Sequence, residues 1–146
     1  MDKNPSMDKK DSAIIHVLRE NSRMPIRDVA KKTGLRPSTV HQRLVRLKES
    51  GVIEKFTLKL DNKAVGMNFI VFVFVKTKPA AILEQKIVND LHVTEIFGIT
   101  GEYDLLIKLK FGNVEEFNNF IIKFRKEQRV ENTLTMVATV NIKEEL

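Results

Sequence analysis

Ser38, Thr39, Gln42 and Arg46 fall inside "GLRPSTVHQRLVRLKESG", residues 34–51, where helical spacing sets them away from an apolar stripe of Val40, Leu44 and Leu47. Glutamine can bond adenine at two points, arginine can grip guanine at two points, and serine or threonine serves base or phosphate. His41 and Arg43 lie beside that outward side, where contacts to phosphate fix register rather than sequence. Arg43 has a second reading, lying along the core and pairing with an acidic neighbour. The whole stretch also has a plainer one, an amphipathic surface helix. A second chemical cluster is "TGEYD", Thr100 to Asp104. Turn amides next to Gly101 can meet an anion, and Asp104 can attract an ammonium group, a combination suited to an amino acid. The competing reading is a hairpin turn in which Gly101 gives backbone freedom and Tyr103 packs at an interface. His16, His41 and His92 are far apart, with no cysteine, metal-ligand spacing or nucleophile motif near them. We therefore expect no enzyme, no metal and no cofactor.

Three helices would position the first cluster. "DKKDSAIIHVLREN" brings Ile14, Val17 and Leu18 to helical spacing, with Asp8 or Asp11 at its start. "IRDVAKKT" turns Ile26, Val29 and Ala30 inward and stops at Gly34. Pro37 suits the first turn of the third helix, which ends before Gly51. Two helices joined by a glycine turn make a helix-turn-helix, whose second helix enters the DNA major groove. "VIEKFTLKLD", residues 52–61, alternates as a strand would, so the unit is read as winged.

The charge agrees with that placement. Residues 1–60 hold 14 Lys+Arg and 7 Asp+Glu, whereas residues 61–146 hold 11 and 12. The positive excess of the chain thus lies in one half, as expected where only that half faces a polyanion. The longest apolar run, "FIVFVFV", is too short to span a bilayer, and the polar start "MDKNPSMDKK" is no secretory signal. With no cysteine either, a cytoplasmic location is expected.

After a connector "DNKAVGMN", residues 61–68, strand and helix signals follow in the order βαββαβ: "FIVFVFVKTK", "AAILEQKIVNDL", "VTEIFGIT", "DLLIKLKF", "VEEFNNFIIKFRKE" and "TLTMVATVNIK". This is the ferredoxin-like arrangement. In the first strand, Phe69, Val71, Val73 and Val75 share one face, and Ile70, Phe72 and Phe74 the other. Two helices cover one face of a small sheet, so the second face calls for a cover, most simply another copy of the chain. The same order also builds RNA-binding domains that stack bases on sheet aromatics. "DLLIKLKF" lacks their Gly- and aromatic-rich pattern, and the slightly acidic balance of this half suits nucleic acid poorly.

These residues carry a family resemblance. "MDKKDSAIIHVLRENSR", "VAKKTGL" and "STVHQRLVRLKESGVI", then "VTEIFGITGEYDLLIKL", make the chain similar to the Lrp/AsnC, or feast/famine, transcriptional regulators. One departure is Arg36, where that family usually has a serine cap; the change forgoes a capping bond and adds positive charge at the DNA-facing turn. The resemblance implies an α+β chain in three parts: a helix-turn-helix domain over residues 1–60, a hinge over 61–68, and a ferredoxin-like RAM domain over 69–146. It implies a regulator that binds double-stranded DNA at palindromic sites through Arg36, Ser38, Thr39, His41, Gln42, Arg43 and Arg46. It further implies pairing of RAM sheets into dimers and higher oligomers, and an amino-acid effector held between dimers. Thr100, Gly101, Tyr103 and Asp104 would form that site, with Thr133 and Thr135 of the last strand nearby. The alternatives are an RNA-binding module and an oligomeric DNA-architectural protein without an effector.

Overall fold

A computed structural model describes residues 7–79, 83–128 and 130–145. The chain separates into two compact units, Met1–Leu58 and Lys59–Leu146. Segment 61–68 belongs to the second of them.

The first unit contains α1 (Lys9–Glu20), α2 (Ile26–Thr33) and α3 (Pro37–Glu49). α1 starts on a reciprocal cap, in which Asp8 accepts from the Asp11 amide and Asp11 from the Asp8 amide, at 2.8 and 3.0 Å. α2 ends at Gly34, whose φ of 69° is left-handed backbone that glycine adopts without cost from a Cβ. α3 has Pro37 in its first turn, while the side chain of Arg36 at the N-cap makes no capping bond. Ile14, Val17, Leu18, Val29, Ala30 and Val40 form the buried centre, and Leu44 packs against it.

The expected strand over 52–61 is not there. Residues 51–53 form a turn and residues 54–61 run without regular structure, so no wing is present among the described residues. Alternation readies a segment for a sheet, but a strand needs a partner to accept and donate its backbone hydrogen bonds. Among the described residues this segment has none, and Phe56, Leu58 and Leu60 remain exposed.

The second unit is a four-stranded antiparallel sheet of order β2-β3-β1-β4 with two helices. In sequence these are β1 (Phe69–Thr77), α4 (Gln85–Val88), β2 (Val93–Gly98), β3 (Leu105–Phe111), α5 (Val114–Glu127) and β4 (Val130–Val137). α4 is a single turn rather than the helix expected over 80–91; residues 80–82 of that stretch lie outside the described residues. α5 starts where Asn113 Oδ1 accepts from the Glu116 amide at 3.0 Å. β4 ends at Val137, short of the expected 143.

Val71, Val73 and Val75 of β1 pack with Ile107, Leu109 and Phe111 of β3 beneath Phe117, Ile121 and Phe124 of α5. Register places Phe72 opposite Lys108 and Met136, and Phe74 opposite Leu106 and Leu134, on the other face. That face is only partly open. Ile70 is buried within the chain, contrary to the expectation from alternation. Lys110, its register partner, donates to Asn62 Oδ1 at 3.0 Å and pairs with Glu144 at 2.8 Å, so the 61–68 turn and the C-terminal segment lie over that end. Glu144 also pairs with Lys59 at 2.8 Å and Lys108 at 2.7 Å, with its side chain 8% exposed. Burial raises the Glu144 pKa, yet the surrounding lysines and Asn62 outweigh it and hold the carboxyl well below the usual range.

Candidate nucleic-acid interface and effector turn

On α3, Val40 and Leu47 are buried, which leaves Ser38, His41 and Gln42 exposed and Thr39 half-buried. Arg36 is exposed just before the helix. The two arginines of the helix behave differently. Arg43 Nη1 donates to Asp8 Oδ2 at 2.7 Å and to Asp11 Oδ1 at 2.8 Å. Arg46 Nη2 donates to Asp11 Oδ2. Asp11 is fully buried, so both guanidinium groups turn toward α1 to meet it.

The charges in this cluster stabilise each other. The Asp11 amide, and then Arg43, hold the Asp8 carboxyl down at about 2. Burial pushes Asp11 up, but the Asp8 amide and the two arginines prevail and keep it below its ordinary value. Arg43 is raised in turn, first by Asp11 and then by Asp8. Asp8 and Asp11 were legible as caps of α1. The second reading of Arg43, pairing with an acidic neighbour, holds. The identity of its partners and the whole of the Arg46 contact, 32 and 35 positions away, were not legible, because only folding brings α1 and α3 together.

In the second unit, Thr100, Gly101, Tyr103 and Asp104 form the link between β2 and β3. Gly101 has φ 123°, a backbone region that favours glycine. Asp104 is drawn to the end of β1, where its Oδ2 accepts from the Thr77 amide at 2.7 Å and the Thr77 hydroxyl at 3.0 Å. Those two bonds lower its pKa, the amide foremost. Among the described residues, the amides of Thr100, Gly101, Glu102 and Tyr103 have no protein acceptor. Tyr103 lies against Phe74 on the open face, ring centroids 5.8 Å apart.

Thr133 pairs with Val75, which pairs with Leu105, so Thr133 and the turn share one end of the sheet, two strand spacings or about 10 Å apart. They do not share a face. Thr133 and Thr135 sit opposite Val75 and Val73 on the helix side, where Arg125 Nε of α5 donates to Thr133 Oγ1 at 2.8 Å. The Thr135 hydroxyl is buried without a partner among the described residues. Thr77 and Arg125 carried no spacing signal in the sequence; topology alone brings them here.

Two family models match the chain: the AsnC-type helix-turn-helix domain over residues 7–48 and the Lrp/AsnC ligand binding domain over residues 69–146. The chain belongs to the Lrp/AsnC family. Members of this family are transcription regulators with a DNA-binding helix-turn-helix and a ligand-binding domain, and they are not enzymes. Among its relatives is the HTH-type transcriptional regulator FL11 of Pyrococcus furiosus, 38% identical over 90% of this chain and 88% of that one. FL11 of Pyrococcus horikoshii is 36% identical, over 94% and 93%. An AsnC family regulator from Agrobacterium tumefaciens superposes with a TM-score of 0.88 at 25% identity, covering 96% of both chains. A transcriptional regulator from Neisseria meningitidis, solved in complex with L-Met, has the same fold, with a TM-score of 0.85 at 23% identity and coverage of 95% and 94%. Within the Lrp/AsnC chain described here, no helix among the described residues is long and apolar enough to cross a membrane.

Proposed function

We propose that this Lrp/AsnC protein is a sequence-specific regulator that reads palindromic DNA as a dimer and responds to an amino acid. The observation that carries the DNA reading is the face of α3, with Ser38, His41 and Gln42 exposed, Thr39 at its edge and Arg36 at its start. Gln42 reads a base, Ser38 and Thr39 serve base or phosphate, and Arg36 and His41 meet the backbone. Arg43 and Arg46 lie beside that face, tied to Asp8 and Asp11 of α1. Two copies pair through the sheet face that carries Phe72, Phe74, Phe97, Leu134 and Met136, where half-buried and exposed apolar groups adjoin. The open amides of the Thr100–Tyr103 turn and the second carboxylate oxygen of Asp104 support an effector with a carboxylate and an ammonium group. The Neisseria regulator's complex with L-Met supports the same chemical class.

The test begins with operators selected from a random duplex library. Gln42→Ala should weaken operator binding by about 1–3 kcal/mol and leave random-sequence DNA nearly unaffected. Equal losses on both DNAs would make Gln42 a phosphate contact and remove base reading from this face.

A further inference from the structure

α3 contains three lysines and arginines, and each is held by the chain itself. Arg43 is bound by Asp8 and Asp11, Arg46 by Asp11, and Lys48 Nζ donates to the Glu54 carbonyl. Among the described residues, the exposed side chains of Ser38, His41 and Gln42 have no such tether. A helix meant to grip phosphate would hold its cations free, because each phosphate neutralised releases counterions whatever the sequence. Here the helix that faces the groove has its charges turned back onto α1. Arg46 is the informative one, since its side chain is 56% exposed and would reach solvent anions if released.

We propose that Asp11 is a specificity-determining positioning residue, which holds Arg43 and Arg46 against α1 and so withholds their charge from DNA phosphates. Asp11 touches no DNA. Its two carboxylate oxygens are divided, Oδ1 to Arg43 and Oδ2 to Arg46, so one buried group fixes the helix at two positions about one turn apart. Asp8 adds a second grip on Arg43 and is itself held by the cap it shares with Asp11. The consequence is a low sequence-independent background, against which Ser38, Thr39 and Gln42 discriminate. This inference rests on α3 facing DNA, and not on which base Gln42 reads.

The experiment measures binding of the full-length chain to random-sequence duplex by fluorescence anisotropy over a salt series. Random DNA keeps the result independent of base reading. Arg46→Ala should leave the slope of log K against log salt unchanged, because Arg46 is already withdrawn. Asp11→Asn should steepen the slope by about 1 per subunit, the contribution of one further phosphate contact. Random-DNA affinity should rise with it and the ratio of operator to random affinity should fall. Adding Arg46→Ala to Asp11→Asn should return the slope to its starting value. A purely structural Asp11 would weaken binding to both DNAs and steepen nothing. A slope that falls by about 1 in Arg46→Ala alone overturns the proposal, as does an unchanged slope in a folded Asp11→Asn protein. If circular dichroism shows Asp11→Asn unfolded, Arg46→Ala and Asp8→Asn decide together, the loosening of Arg43 in Asp8→Asn being expected to steepen the slope.

Discussion

Asp11 has no exposed surface and three polar partners, so its energetics are set by what remains when it is removed. In Asp11→Ala, Arg43, only 20% exposed, keeps one acidic partner, and the Asp8 amide loses its acceptor. Neither arginine is left buried and unpaired, since Arg43 keeps Asp8 and Arg46 is 56% exposed. Losing the charge-assisted bonds should cost about 1–3 kcal/mol, and the first unit should melt earlier in thermal denaturation. The pH dependence has a definite sign. Asp8 and Asp11 have folded-state pKa values below those of the unfolded chain, so their stabilisation is present above about pH 4 and is lost as pH falls toward 2. Acid titration of the helical signal should show that loss, and Asp8→Asn should flatten it; an equally steep acid transition in Asp8→Asn would assign it elsewhere. The sequence disclosed these aspartates as caps because capping is local, spanning three residues. It disclosed Ser38, Gln42 and the apolar stripe for the same reason. It offered an acidic partner for Arg43 without naming it; which acids pair with Arg43 and Arg46 is long-range and has no period to betray it.

The elements divide along the same physical line. α1, α2, α3 and α5 follow from helical period and end signals, and the two faces of β1 from simple alternation. Segment 52–61 alternates just as well and is no strand, because pairing depends on a neighbour that its own residues do not specify. Ile70 misleads for a related reason, since the cover over it comes from residues near 62 and 144. What stays open on that face is the patch around Phe72 and Phe74. Phe72→Lys or Phe74→Lys would place an added charge in a sheet-to-sheet contact, where its desolvation is costly. Light scattering should then report monomer while the sheet signal in circular dichroism persists. A dimer that survives both substitutions would locate the interface elsewhere.

At the scale of the molecule, one unit carries the basic excess and the other the turn at Thr100–Asp104, so ligand binding and DNA binding can be separated by mutation. The bonds from Thr77 make Asp104→Asn the cleanest probe, because the amide oxygen can still accept them while the charge is gone. Asp104→Asn should weaken amino-acid binding in calorimetry and reduce the effector's influence on DNA affinity, a coupling of about 1–3 kcal/mol in allosteric regulators. Basal DNA affinity should be unchanged. If no standard amino acid binds the unaltered protein at millimolar concentration, the turn has no such role and the second unit serves assembly.

Because β1 lies between β3 and β4, the first strand to leave the ribosome waits for the last. The central strand cannot gain its second neighbour until residues 130–137 have emerged, and Lys59 and Lys110 wait for the Glu144 carboxylate that pairs with them. The three helices close their own buried centre by residue 49, with nothing borrowed from later in the chain. Synthesis should therefore yield a finished DNA-binding unit attached to a nascent sheet whose apolar face is still uncovered, an order typical of chains that fold unit by unit. Force measured on stalled nascent chains should show an early peak for the helices and a second only after Glu144 clears the exit. A single late peak would mean that the helices wait for the sheet.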